Sequence, residues 1–176
     1  ALVLGVGGLA LPLMTRGVAP TDAAFTGRDI AAIAGHLAGA VLLVASFVAQ
    51  QSVSVAVGCG LRAAVITAVL VLGAELWRPP TVAGWNRRLI WLSAWMLPLG
   101  FAAAAAAPAW YQAAIHVSFL GGFAMLTLAV STHVVLAHGG HAELTDGRPW
   151  QVGAIAMLIA AAMGARAMMV AQAELR

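Results

Sequence analysis

The sequence has no lysine, one cysteine and one tyrosine, and only 9% of its residues are charged. Each scarcity excludes something. Soluble domains carry about 25% charged residues, so this chain cannot clothe a water-facing surface of ordinary extent. The lone Cys59, in Gly58-Cys59-Gly60, rules out an internal disulfide and any Cys-x-x-Cys metal or redox motif, and reads as packing. All nine basic residues are arginine, spread along the chain at the edges of apolar runs. That is the pattern of headgroup anchors, and no nucleic-acid partner is expected. Gly-x-Ser-x-Gly, His-Glu-x-x-His and phosphate-cradling loops are all missing. Asp22, Asp29, Glu143, Asp146 and Glu174 fall in loops or at the chain end, so hydrolytic chemistry has no carriers.

What is present is apolar: hydrophobic residues make up 62% of the chain. A helical span needs about 20 of them in succession. Six stretches approach or meet that length, at residues 1–14 (cut short at its start), 30–50, 59–76, 88–107, 112–137 and 150–171. Runs this long are helices, because an open sheet would leave backbone groups unpaired in lipid. The expected fold is therefore all-α, a polytopic transmembrane bundle of about six spans with lipid around it, forming one domain over residues 1–176. The chain enters an apolar run directly, without methionine, and reads as a piece of a longer protein.

Arg16, Arg28, Arg78, Arg87, Arg88 and Arg148 fall on one side of this topology, with Arg62, Arg166 and Arg176 on the other, where they would snorkel. The positive-inside rule then makes the loop after residue 138 cytoplasmic. The six tryptophans lie at or near predicted helix ends, as an aromatic belt would. Glu75 and Arg78 are spaced for an i,i+3 ion pair. Gly35 with Gly39, and Gly121 with Gly122, mark faces where helices can approach closely.

Titratable groups inside a membrane are costly and point to function. His116 and His133 stand at opposite ends of the fifth span, 17 residues and about 25 Å apart, and cannot share one metal. His36 enters the second span from the same side as His133, so those two could meet at one depth, as a bis-imidazole haem requires, or hydrogen-bond between helices. His133, His138 and His141, close together at a membrane edge, could hold copper or zinc. Met125, Met157, Met163, Met168 and Met169 offer thioethers for Cu(I), although methionine in such helices is commonly packing.

The run from Arg62 through Trp77-Arg78-Pro79, LIWLSAWMLPLGF at 89–101 and AAIHVSFLGGFAMLTLAVSTHVVLAHGG at 113–140 resembles the carboxy-terminal half of the NnrS family, bacterial membrane proteins linked to nitric oxide and denitrification. GGLALPLMTRG at 7–17 resembles an earlier Gly-Gly-Arg … Pro-Phe-Phe-Thr segment of the same family, with Pro12 and Thr15 matching its Pro and Thr. The resemblance implies a multi-pass protein of the bacterial inner membrane, binding haem and copper and acting in the response to nitric oxide. It also implies a partner in an upstream half, to a total of roughly twelve spans. His116 matches a family helix histidine, and His138 the histidine of a Leu-Gly-His-Thr-Gly-Arg stretch. Leu9, His133 and His141 stand where the family has arginine, so three fixed charges have become neutral or titratable. No reaction is assigned. Two other classes stay open at this point: a transporter or channel for a small solute or metal ion, and a non-catalytic membrane subunit.

Overall fold

The computed structural model describes residue 15 and residues 27–81, 84–140 and 150–174. The first expected span, residues 1–14, lies outside the described residues, as do Leu9, Pro12 and His141. Five described helices are long and apolar enough to cross a membrane. They form a multi-pass all-α bundle.

The first helix, α1, runs Gly27–Ser52, and after a two-residue turn α2 covers Val55–Ala68 and continues as a π-helical stretch, Val69–Gly73. Sequence reading starts this span at residue 59, because Gln50, Gln51, Ser52 and Ser54 look like loop. The helices instead absorb them. Ser52 Oγ donates to the Val48 carbonyl at 2.8 Å, and Ser54 caps α2 by accepting from the Val57 amide at 3.2 Å. Gly58 then lies so close to the Gln50 backbone that any Cβ there would collide with it, which locks the α1–α2 hairpin at its turn.

Helix α3, Trp85–Ala106, starts after Gly84 at φ 139° and stops before Pro108. A short 3₁₀ turn, Pro108–Trp110, leads into α4 (Tyr111–His116), a π-helical stretch (Val117–Ala124) and α5 (Met125–His138), which together make one long span. Gly140 at φ 76° follows the end of α5, where the Gly139 amide bonds the Val135 carbonyl at 2.9 Å. The last helix, α6, is Trp150–Glu174.

The helices pack largely in chain order: α1 on α2, α2 on α3, α3 on the α4–α5 span, and that span on α6. The core lies on α3, where Ile90, Ala94, Leu97 and Phe101 meet Cys59, Ile66 and Leu70 of α2 and Leu126 and Ala129 of α5. Small residues permit this. A Cβ on Gly100 would strike the backbone of Ser118 and Ala114, and one on Gly122 would come within 2.5 Å of Leu97. Polar side chains in the core bond to backbone: Ser118 Oγ donates to the Leu97 carbonyl at 2.8 Å, and Asn86 Nδ2 to that of Ala129 at 2.9 Å. Trp91, read from sequence as interfacial, packs on the core and donates to the Leu76 carbonyl at 2.8 Å, whereas Trp77, Trp85 and Trp150 are exposed at helix ends.

Candidate functional site

Histidine geometry follows from one recurring contact. His36, His116 and His138 each place Nδ1 against the carbonyl four residues earlier, on Ala32 at 2.7 Å, Gln112 at 2.5 Å and Val134 at 2.9 Å. A carbonyl only accepts, so Nδ1 carries a hydrogen, and the neutral ring then has its lone pair on Nε2. This second contact fixes a histidine's tautomer and ring orientation in metal sites.

The three imidazoles differ in what Nε2 faces. His138 is exposed at the end of α5, and His116 is half-buried about 33 Å away along the same span. His133 is half-buried on α5, five residues before His138, so the two point about 140° apart around the helix. Among the described residues no three His, Cys, Asp or Glu side chains converge as metal ligands. His36 lies on α1 and His133 on α5. They sit on helices with different principal neighbours, α2 for His36 and α3 and α6 for His133.

His36 is the one placed in a cleft. A cavity of about 350 Å³ between α1 and α2 is lined by His36 with Gly35, Gly39, Val65, Val69, Leu72 and Gly73 among other apolar residues, and the imidazole is its only polar side chain among the described residues. Its Nε2 is buried and, among the described residues, has no hydrogen-bond partner. Gly73 closes the cleft over the imidazole, where an added Cβ would lie 3.4 Å from Nε2. A flat apolar group with a coordinating centre fits these features: a slot walled by glycine and aliphatic residues, and one oriented nitrogen lone pair.

A second cavity, about 140 Å³, lies among α3, α5 and α6 and is lined by Met96, Met125 and Met163 with Ser93, Gly121 and Ala156. The absent side chain of Gly121 lets Met163 Sδ and Met96 Cγ approach; each would be 3.3 Å from a Cβ there. Both cavities adjoin the π-helical stretches, Val69–Gly73 beside His36 and Val117–Ala124 beside the methionines. Such widened turns recur at functional sites, where they re-aim a helix face.

The amino-acid sequence matches the family model described as NnrS protein across residues 1–175. The chain belongs to the NnrS family. No curated protein and no solved structure matches it.

One site in this NnrS chain escaped sequence reading. Arg62, expected to snorkel, is 3% exposed inside the bundle. Its Nε donates to Ser46 Oγ at 3.2 Å and its Nη2 to Gln50 Oε1 at 3.1 Å. The guanidinium carbon lies 3.7 Å from the Phe47 ring centroid and 4.9 Å from that of Phe101. Gln50 Nε2 in turn donates to the Tyr111 hydroxyl at 3.4 Å. The available signal was an arginine four residues inside an apolar run with Gln50 twelve residues before it, but neither residue reveals its depth alone. By contrast, Arg78 pairs with Glu75 at 3.4 Å on the surface, as the spacing predicts.

Proposed function

We propose that this membrane protein binds haem in the α1–α2 cleft, where His36 Nε2 would hold the iron, and acts at the bacterial inner membrane in the response to nitric oxide. The observation that carries this reading is the buried, unpartnered Nε2 of His36 beside a ring already tied through Nδ1. Burying a polar atom without a partner costs about 1–3 kcal/mol. A coordinated metal offsets that cost in a way lipid does not. The Ala32 carbonyl orients the ring, Gly35, Gly39 and Gly73 keep the walls low, and Val65, Val69 and Leu72 make the rest of the lining apolar. When bound, a haem iron supplies a coordination position for a diatomic ligand such as nitric oxide. His116 and His138 present the same tautomer near opposite membrane faces, too far apart to share that iron, and are ligand candidates for separate centres.

The Soret absorbance of the full-length protein purified in detergent tests this reading. Haem should copurify, and His36→Ala should lose most of it, with partial recovery in added imidazole. No haem in the unaltered protein, or an unchanged spectrum in His36→Ala, sinks the proposal.

Copper has a separate observation in its favour. Met96, Met125 and Met163 bring thioethers from three elements to one small apolar cavity, a donor set suited to Cu(I). Copper content after growth in copper should fall in the Met96→Leu, Met163→Leu double variant while haem content holds. Equal copper in both proteins would remove this site from consideration.

A further inference from the structure

We propose that Arg62 is an anion site, taking a small planar oxyanion of the carboxylate type on the free edge of its guanidinium. The argument starts from cost. A charged side chain within a membrane span is expensive, and natural sequences keep one where it has a task. A buried charge with no opposite charge is usually less stable than an apolar side chain of similar volume.

Around Arg62 the compensating groups are all neutral. Ser46 Oγ and Gln50 Oε1 accept from Nε and Nη2, and Phe47 and Phe101 offer ring faces. Among the described residues no carboxylate pairs with it. The two hydrogen bonds use Nε and one N–H of Nη2, and leave Nη1 and the second Nη2 N–H without a partner among the described residues. A guanidinium has five donors, and that remaining edge is the fork which matches a carboxylate in bidentate fashion.

The surroundings aim the fork. Ser46 donates its own hydrogen to the Leu43 carbonyl at 2.6 Å, so its lone pair must face Arg62. Gln50 is turned oxygen-first toward Arg62 because its amide nitrogen is held by the Tyr111 hydroxyl. The Phe47 and Phe101 rings crowd the guanidinium carbon, which leaves its free N–H edge as the place for an anion. The site is about 12 Å along α2 from its Ser54 cap, on the side where Tyr111 begins α4. It is separate from His36, whose neighbour Gly73 lies about 16 Å further along α2.

Thermal melting of the full-length protein in nanodiscs tests the proposal, with sodium formate or nitrate titrated against chloride at constant ionic strength. The unaltered protein should show a saturable rise in Tm with the planar anions, as a ligand bound only to the folded state gives. Arg62→Lys keeps the charge without the fork and should weaken the midpoint at least tenfold. Arg62→Met should abolish the response and melt no lower than the unaltered protein in chloride. Gln50→Glu provides a second, independent arm, because a built-in carboxylate should raise Tm in chloride and remove the formate response. The proposal is overturned if formate, nitrate and chloride act alike on the unaltered protein. It is equally overturned if Arg62→Met or Gln50→Glu keeps the response.

Discussion

Replacing Gly73 with alanine should separate haem binding from folding. An alanine Cβ at this position would lie 3.4 Å from His36 Nε2 and 3.5 Å from Cε1, with no other neighbouring atom within 4 Å. Both distances are ordinary van der Waals contacts, so the metal-free protein accommodates the methyl group. The substitution should even stabilise it, by about 0.5–1 kcal/mol, since alanine loses less backbone freedom than glycine on entering a helix. Metal binding is another matter. Nε2 and Cε1 are its two nearest atoms, so the new carbon sits against the coordinating edge of the imidazole. A metal bound to imidazole lies about 2.0–2.1 Å from the nitrogen, on the same edge of the ring that the methyl group would occupy. A methyl group there would crowd any group held on Nε2. Gly73→Ala should therefore show a several-fold loss of Soret absorbance per protein, with a melting temperature equal to or above that of the unaltered protein without haem. Full haem content in Gly73→Ala would refute the placement of the group in this cleft, whatever its ligand.

Three further outcomes follow from the geometry. His116→Ala and His138→Ala should each leave haem content at the level of the unaltered protein, because neither ring faces the α1–α2 cleft; a loss matching that of His36→Ala would show that the ligand lies elsewhere. Gly100→Ala forces a methyl into the Ser118 and Ala114 backbone and should destabilise by about 1–3 kcal/mol, read as a lower midpoint in detergent-titration unfolding, while an unchanged midpoint would mean the α3–α4 contact is looser than described. Ser54→Ala removes the α2 cap and should cost about 1 kcal/mol in the same measurement, with Ser54→Asp restoring it.

The spans were legible because hydrophobic run length is a strong signal, and lipid makes helix the only way to satisfy such backbone. Their ends were less so. Gln50 and Ser54 look alike in sequence to loop residues, yet one is bonded to Tyr111 and Arg62 and the other caps a helix. Depth was the main loss. A lone arginine between apolar residues reads the same whether it snorkels or is buried, and only the opposed Ser46, Phe47 and Phe101 distinguish the two. His36 was legible as costly and as close to Gly35 and Gly39, whereas Gly73, 37 residues later, had no sequence feature tying it to the imidazole. Met96 escaped notice while Met157, Met168 and Met169, all named as thioether candidates, are more than half exposed on α6. The π-helical stretches carry no periodic signature, since the extra residue per turn is set by packing against neighbouring helices.

Among the described residues, helix α1 packs mainly on α2, and 11% of its most apolar window is buried. The cleft with His36 occupies part of that interface. A planar group seated there would be covered by both helices at once, so its retention and the docking of α1 form one linked equilibrium. Loss of the group would loosen a whole transmembrane helix, and cofactor supply would set how much of the protein in the membrane is fully assembled.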